Sequence, residues 1–391
     1  MTLREGRRRP RLIRRRCPNG GGLSVDRSER GRRALGGSGS GRKAPALNEA
    51  LGLIAQPDAA LRLGVVIPTR NRQQDLVPTV RAWLAQEAPI HEVVIVESGD
   101  LSKTREIMEQ EGLLARVRLV ESLSGLPRQR NIGFRYAEAD ILFLSDDDLT
   151  PEPRFAGVLA KHFGRDVNGQ LGAVAGRIDD CTRLPGRLGQ IVRSLFGLSR
   201  IGVEGRMQPS GFGIFPLART EGVIPVEVLP GTCLAVRRSV YPEYSFDEML
   251  EGYALMEDVD FTFRLGRRYG MLYDPSVTAV HHAAPAGRHS RRDYCAMMVV
   301  NYRYLFEKNR VLERFSRPAY WRALIGLVVY WGILRGIQER SLAPFQGLFK
   351  GIAMVRRGQM WPSAEEVTAS NGGASQGHTA GGGLPRGDET G

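Results

Sequence analysis

Residues 141–153, ILFLSDDDLTPEP, place a short apolar run directly before three consecutive carboxylates. The four apolar residues 141–144 predict a buried strand, and the acids 146–148 follow at its carboxyl end. Carboxylates beside a buried strand are unfavourable unless positive charge lies against them. Beyond the acids, Thr150 and Pro151 are typical of an N-cap and a first helical residue. The segment therefore predicts a strand, an acidic turn and then a helix.

Asp146 and Asp148 stand one residue apart, so their side chains project to the same side of an extended segment. Two such carboxylates can hold one hard divalent cation, Mg2+ or Mn2+, which retains waters and takes oxygens from a substrate phosphate. The alternative is a polar turn in which the acids only cap the chain, because Asp is common in turns. The rest of the chain bears on this choice.

Apolar segments alternate with segments of helical periodicity along the chain. Predicted strands cover residues 61–69, 91–97, 117–121, 141–144, 171–177, 226–238 and 271–280. The early strands are continuous apolar runs, which is typical of a parallel sheet covered by helices on both faces. We therefore predict an α/β fold with a mostly parallel central sheet.

Polar residues follow three of these strands, at the edge where ligands of such sheets bind. The three clusters are residues 68–72, residues 97–100 and the acids 146–148. No GxGxxG follows the first strand and no GxxxxGK[ST] occurs, so a dinucleotide or P-loop site loses support. Three polar clusters at one edge favour a binding site there.

Positive charge is concentrated in residues 1–46, which hold fourteen Arg and Lys and three acids, or +11 of the net +13. We expect a disordered tail there and another over residues 362–391, because neither stretch has enough apolar residues for a core. The basic stretch is an arm that touches anionic lipid or RNA, a solvated tail, or a translated upstream stretch that is not in the natural product. Four scattered Cys residues without CxxC indicate neither a zinc ribbon nor a disulfide framework, and they suit the cytoplasm.

Residues 256–269 predict an amphipathic helix with Glu257 and Asp258 in its first turn, where acids also simply favour the helix dipole. A strand over residues 271–280 ends at the pair His281-His282, which is either structural or a metal or phosphate contact. Residues 179–226 have weak periodicity and predict an irregular insertion over the binding edge.

The segment 320–334, YWRALIGLVVYWGIL, is strongly apolar but too short to span a bilayer. Arg and Lys residues surround it and the apolar residues downstream, a pattern typical of a helix that lies in a membrane surface. A core helix or a dimer helix is the alternative. We therefore predict a helical, membrane-associating segment over residues 305–361.

From about residue 63 to about residue 304 the chain resembles glycosyltransferase family 2, whose members have the GT-A fold. The matching motifs, in family order, are VVIPTRNR, Glu97 after the second strand, Arg130-Asn131 in PRQRNIG, the DDD turn, PGTCLAVRRSVY, and Glu257-Asp258 in EDVDFTFRL. The resemblance implies a GT-A (Rossmann-like) domain over residues 61–304.

The resemblance also implies site roles residue by residue. Donor-binding roles fall on Pro68, Thr69, Arg70, Glu97, Arg130, Asp146 and Asp147. Metal ligands fall on Asp146, Asp148 and His282, with His281 as the alternative to the last and Ser145 with Asp147 as an alternative register for the turn. Asp258, with Glu257 beside it, matches the acidic pair whose Asp is the catalytic base of inverting members.

Two features depart from common family patterns. Glu97 stands where Asp is more usual, which puts the base preference of the donor pocket in doubt. The QxxRW motif of processive members is not found, which favours a single addition rather than a polymerase.

The sequence thus predicts a metal-dependent, inverting glycosyltransferase that moves a sugar from a nucleotide-diphosphate sugar to an acceptor hydroxyl. The expected setting is cell-surface glycan or glycolipid synthesis with a glycan or lipid-linked acceptor, in the cytoplasm or peripherally on the inner face of the cell membrane. A nucleotidyltransferase and an RNA- or lipid-binding protein that uses the basic arm are the alternatives; we expect no specific nucleic acid partner.

Overall fold

The computed structural model describes residues 61–179, 186–199, 204–216, 220–250, 254–282, 290–312 and 315–362. The chain divides into two units, Met1–Leu53 and Ile54–Gly391, and every described residue belongs to the second. The tail predicted over residues 1–46 lies outside the described residues, as does the tail predicted over 362–391 apart from Pro362.

The described residues form eleven strands, and nine of them make up the sheet at the centre of the fold. The strands are β1 (Leu63–Thr69), β2 (Ile90–Glu97), β3 (Arg118–Glu121), β4 (Ile141–Ser145), β5 (Leu149–Pro151), β6 (Leu171–Asp179), β7 (Arg206–Met207), β8 (Gly213–Ile214), β9 (Ile224–Pro225), β10 (Cys233–Arg237) and β11 (Gly270–His281). The sheet order is β3-β2-β1-β4-β10-β6-β11-β5, with β9 also paired to β11, and β7 and β8 form a separate ribbon.

Six of the nine strands described in this sheet run in one direction, and β5, β9 and β10 run against them. The predicted α/β class with a mostly parallel sheet is therefore confirmed. The antiparallel strand β10 lies between β4 and β6, so the parallel strands fall into two groups.

Helices cover both faces of the sheet. They are α1 (Gln73–Leu84), α2 (Leu101–Gln110), α3 (Leu126–Tyr136), α4 (Phe155–Gly164), α5 (Arg187–Leu195), α6 (Glu257–Leu265), α7 (Arg291–Asn309), α8 (Arg317–Leu327), α9 (Gly336–Glu339) and α10 (Ala343–Arg356). Trp83 of α1 and Phe155 of α4 pack on one face, while Phe134 of α3 and Phe261 of α6 pack on the other. Successive side chains of each central strand point to opposite faces of the sheet, so they pack alternately into one core and the other.

Helix α3 lies directly on β1 because Gly133 has no side chain. A Cβ atom at Gly133 would stand 2.1 Å from Cγ1 of Val66, far inside van der Waals contact. This close approach brings Arg130, one turn earlier in α3, below the carboxyl ends of the central strands. The packing of one glycine thus positions a buried charge.

The C-terminal helices have a core of their own. Tyr302 and Phe306 of α7, Tyr320 of α8 and Leu348 of α10 are buried in it, and Phe196 beyond α5 packs against it. A π-helical segment, Val328–Arg335, joins α8 to α9. No helix within the described part of the chain is long and apolar enough to cross a membrane.

Two expectations about local structure were wrong. Thr150 and Pro151 do not begin a helix: they belong to β5, which pairs antiparallel with residues 279–281 of β11, and α4 begins only at Phe155. Residues 179–226 are not irregular throughout, because they contain the amphipathic helix α5 and the β7–β8 ribbon.

Candidate active site

The pairing of β5 with β11 brings a histidine to the acidic turn. In that register His281 lies opposite Leu149, the residue that follows the three acids. His281 Nε2 stands 3.0 Å from Asp148 Oδ1 and 3.9 Å from Asp146 Oδ2. Within the described residues, Asp146, Asp148 and His281 each offer one ligand atom, and these atoms lie within 4.8 Å of one another.

His282 faces elsewhere, because neighbouring side chains of a strand point to opposite sides. Its Nε2 lies 2.8 Å from Oγ1 of Thr150, and its backbone N–H donates to the carbonyl oxygen of Asp148 at 3.0 Å. The structure therefore places His281 rather than His282 with the two carboxylates. A metal role for His282 stays a prediction.

The Asp146–Asp148–His281 cluster fits a divalent metal ion. Two carboxylate oxygens and an imidazole nitrogen are suitable ligands for Mn2+, and the carboxylates also suit Mg2+. The acidic turn and the first two residues of α6 hold five carboxylates, those of Asp146, Asp147, Asp148, Glu257 and Asp258, and Arg72 and Arg130 pair with four of them. A bound divalent cation would bring this charge closer to balance.

Asp147, the middle acid, is an anchor within the protein. It is buried, its Oδ2 accepts a hydrogen bond from Thr69 Oγ1 at 2.7 Å, and its Oδ1 pairs with Arg72 Nη1 at 2.5 Å. Thr79 of α1 donates to its backbone carbonyl at 2.9 Å. Burial raises the pKa of Asp147 to about 7. The donor-binding role predicted for Asp147 therefore competes with three internal contacts.

Arg72 is a residue of this site that the sequence did not single out. Besides Asp147, its guanidinium pairs with Asp148 at 2.9 Å and with Asp75 at 3.2 Å. It thus ties the beginning of α1 to the acidic turn. Its position three residues beyond the end of β1 was the available signal, because that edge was already predicted to hold polar groups.

Arg130 is almost completely buried and joins the metal cluster to α6. Its Nη1 pairs with Glu257, and its Nη2 donates to Asp146 Oδ1 at 3.2 Å and to the carbonyl oxygen of Gly231 at 2.9 Å. These contacts place the guanidinium between two carboxylates. The donor-binding role that the resemblance implies for Arg130 stays a prediction.

Asp258 is half-buried at the beginning of α6. Its Oδ2 accepts from the backbone N–H of Gly231 at 2.9 Å, and its Oδ1 accepts from the N–H of Val259 at 2.8 Å. Burial raises the pKa of Asp258 above its ordinary value, which makes its carboxylate a stronger base. Burial also raises the pKa of Glu257 to about 8, and Glu257 Oε2 has no hydrogen-bond partner among the described residues.

Helix α6 is held in place from its far side. The fully buried Asp260 accepts hydrogen bonds from Arg264 at 2.9 Å, from Lys308 at 2.8 Å and from Asn309 at 3.1 Å. Met256, immediately before α6, has φ 72°, a left-handed conformation that is uncommon for a residue with a side chain. Contacts with α7 therefore fix the direction in which α6 presents Glu257 and Asp258.

The edge beyond β1 and β2 is organised by Glu97. This fully buried carboxylate accepts from the N–H groups of Asn71 at 3.1 Å and Gly99 at 2.7 Å and from Thr104 Oγ1 at 2.7 Å. Pro68 and Thr69 are buried at the end of β1, whereas Arg70 is exposed and donates to Ser124. Of the donor-binding residues predicted at the β1 and β2 ends, Arg70 is the one that faces solvent.

A cluster that could hold a divalent metal and a neighbouring pair of carboxylates, both at the carboxyl edge of an α/β sheet, are typical of a metal-dependent group-transfer enzyme. Residues 64–244 match the model of the family "Glycosyl transferase family 2", which confirms the predicted resemblance over those residues. The observed α/β fold agrees with the GT-A fold that the motifs predicted, and the match confirms the predicted enzyme class, glycosyltransferase, for these residues.

The solved structures that are similar to the chain include two with Mn2+. One is "GalNAc-T7 with UDP, GalNAc and Mn2+", at 14% identity and a TM-score of 0.46 over 72% of this chain and 58% of that one. The other is the "Mannosyltransferase PcManGT from Pyrobaculum calidifontis in complex with GDP-Man and Mn2+", at 18% identity and a TM-score of 0.44 over 84% and 86%. The chain thus spans less than two thirds of the GalNAc-T7 structure. No curated protein matches the sequence.

Proposed function

We propose that the chain transfers a sugar from a nucleotide-diphosphate sugar to an acceptor hydroxyl, with inversion at the anomeric carbon. The observation that supports this best is the arrangement around Arg130, whose guanidinium contacts both Asp146 of the metal cluster and Glu257 next to Asp258. The reaction requires two such acidic groups side by side, one that holds a cation and one that takes a proton.

Asp258 is the proposed general base. It accepts the proton of the acceptor hydroxyl as the hydroxyl oxygen bonds to the anomeric carbon and the bond to the nucleotide diphosphate breaks. Its raised pKa suits this task, and the N–H groups of Gly231 and Val259 fix its two oxygens. Inversion follows because the acceptor attacks once, from the side opposite the leaving group.

The leaving diphosphate gathers negative charge, which a divalent cation bound at the acidic turn would stabilise. Asp146, Asp148 and His281 would hold that cation. Arg130 orients Asp146, while Arg72 orients Asp148 from the other side. Arg70 and the turns that Glu97 organises are the proposed donor-binding surface at the ends of β1 and β2.

The test is incubation with Mn2+ and a panel of UDP-, GDP- and dTDP-sugars, with release of nucleoside diphosphate as the readout. A sugar transferase releases the diphosphate when acceptor or water takes the sugar. A nucleotidyltransferase would instead release pyrophosphate from a nucleoside triphosphate and a sugar phosphate. A protein that only binds RNA or lipid would release neither, and that result would contradict the proposal.

We further propose a glycan or lipid-linked acceptor, in cell-surface glycan or glycolipid synthesis, and a cytoplasmic protein that attaches peripherally to the inner face of the cell membrane. Support comes from the predicted interfacial segment, which presents Trp321, Ile325 and Phe349 to solvent beside basic residues. An exposed apolar strip with basic flanks is the pattern of helices that lie in a membrane surface.

A further inference from the structure

Helix α5 has an apolar side that nothing described covers. Leu188, Ile191 and Leu195 are 62%, 64% and 67% exposed, and their spacing of three and four residues puts them on one side of the helix. The adjoining side of the helix carries Gly189, which is buried, and Val192, which is partly buried and packs against the core of the C-terminal helices. Helix α5 therefore contacts the rest of the protein through one side, and its exposed apolar side is available to contact another apolar phase.

Helix α5 is part of the same layer as the C-terminal helices. Phe196, which follows α5, packs so closely on α8 that a Cβ at Gly326 would lie 2.3 Å from Phe196 Cβ. The Arg193 guanidinium lies over the Tyr330 ring at 5.2 Å. These contacts place α5 beside α8 and the π-helical segment.

The neighbouring helices also turn apolar side chains outward. Helix α10 adjoins the π-helical segment, because a Cβ at Gly332 would lie 3.1 Å from Leu348 and 3.3 Å from Phe345. The exposed apolar residues of α8, the π-helical segment, α9 and α10, with the loop before α10, are Trp321, Ile325, Ile333, Ile337, Leu342, Phe345 and Phe349. With the three from α5 they form a set that we name the docking face.

Positive charge accompanies these helices. Residues 315–362 hold seven Arg and Lys and one acid, and residues 186–199 hold two Arg and no acid, which gives +8 together. Because residues 1–46 carry +11 of the net +13, residues 47–391 carry +2, and those outside the two stretches therefore sum to −6. The helices of the docking face are thus basic, whereas the rest of that part of the chain is acidic.

We infer that α5 and the C-terminal helices form a single surface that docks onto an anionic lipid bilayer. The inference deepens the proposed peripheral attachment, on which it rests, by adding an element from the glycosyltransferase domain itself. The combination of inserted apolar side chains and flanking Arg and Lys matches both parts of a bilayer surface, the acyl boundary and the anionic headgroups. A second copy of the chain fits less well, because a two-fold contact would bring together two sets of helices that each carry a net charge of +8.

Flotation of the full chain with phosphatidylglycerol–phosphatidylcholine vesicles tests the inference. We expect the chain to float at low salt and to be released by high salt. The variant L188Q/I191Q/L195Q keeps good helix formers but removes the apolar side of α5, and we expect its vesicle partition coefficient to fall about tenfold or more. The matched control Y136Q/V167Q changes two exposed apolar residues outside the docking face and should float like the wild type.

A second variant, R187E/R322E, reverses charge at two exposed positions and leaves the apolar side intact. It should lose binding to anionic vesicles without loss of melting temperature. Equal flotation of the wild type and L188Q/I191Q/L195Q would overturn the inference. So would a wild-type dimer that does not float and that becomes monomeric in that variant.

Mn2+-dependent binding of UDP and GDP, followed in parallel, separates this inference from the proposed transfer reaction. The α5 variant should bind nucleotide like the wild type, because none of its three residues belongs to the site described. Flotation without any nucleotide binding would leave the docking face standing and contradict the donor assignment.

Discussion

Arg130 contacts two acids: Asp146, a ligand of the proposed cation site for the donor, and Glu257, the neighbour of the proposed base Asp258. The guanidinium donates along three directions, to these carboxylates and to the Gly231 carbonyl. Lysine at this position would keep the charge but not the planar fork. One residue therefore couples the geometry of the cation site to that of α6.

We predict that Arg130→Lys lowers kcat by at least about tenfold and weakens Mn2+ binding, while the chain stays folded. The matched control is Arg128→Lys, two residues away in α3, which pairs with Glu248 at the surface. Initial rates and Mn2+ titration check the prediction. Unchanged Mn2+ affinity in Arg130→Lys would show that Asp146 does not depend on this contact.

Asp258→Asn should separate chemistry from binding. The amide oxygen can still accept one backbone hydrogen bond, but the side chain cannot take a proton at neutral pH. We predict that nucleotide diphosphate and Mn2+ bind within a few-fold of wild type, while kcat falls by roughly 10²–10⁴-fold. Transfer at nearly the wild-type rate would mean that Asp258 only favours the helix dipole, and Glu257 would be the next candidate for the base.

The two adjacent histidines provide a matched pair. His281 lies with Asp146 and Asp148, whereas His282 faces Thr150. We predict that His281→Ala weakens Mn2+ affinity by at least about tenfold and that His282→Ala changes it less than twofold. Calorimetric titration with Mn2+ checks both. The reverse order would support the ligand assignment made from sequence.

At the scale of secondary-structure elements, the sequence predicted the strands and helices that a local pattern of apolar residues determines. Continuous apolar runs indicated β1, β2 and β4, and helical spacing indicated α6 at about its observed place. It did not predict β5, because a three-residue strand is stabilised by β11, more than a hundred residues away. That same register decides which histidine faces the carboxylates, so the choice between His281 and His282 could not be made from the pair alone.

The position of helix α3 depends on its close contact with β1 at Gly133. We predict that Gly133→Ala lowers the free energy of unfolding by about 1–3 kcal/mol, because the added methyl group must displace α3 from Val66. Gly164→Ala is the control, since nothing lies within 4 Å of a Cβ at that helix end. Urea denaturation measures both. Equal stability of the two variants would show that α3 shifts at little cost, and the kcat of Gly133→Ala would then report whether Arg130 moved with it.

At the scale of the whole molecule, acidic and basic residues are concentrated in different parts of the chain. The acidic edge of the sheet belongs to the glycosyltransferase domain, while positive charge concentrates in residues 1–46 and around the C-terminal helices. Composition alone revealed the first basic region. It could not reveal that α5, from within the domain, joins the second, because that depends on the contacts of Phe196 and Arg193 with α8 and the π-helical segment.

We predict that a chain without residues 1–46 keeps its melting temperature and its turnover of a soluble donor. The physical reason is composition, since this stretch has too few apolar residues to add to a core. Differential scanning calorimetry and diphosphate release test it. A melting temperature lower by several degrees would show that the stretch packs against the domain.

The π-helical segment Val328–Arg335 has a consequence for how the docking face is aligned. Exposed Trp321, Ile325, Ile333 and Ile337 are separated by multiples of four residues, and four residues of an α-helix overshoot a full turn by about 40°. Over sixteen residues this error would accumulate to about 160° and carry the last side chain round to the opposite side. A π turn contains more residues than an α turn, so each residue of this segment rotates less about the helix axis. The segment therefore offsets the accumulated rotation and keeps the four side chains on one side. Deletion of one residue of this segment other than Ile333 would keep all four exposed side chains and still turn Trp321 and Ile325 away from Ile337.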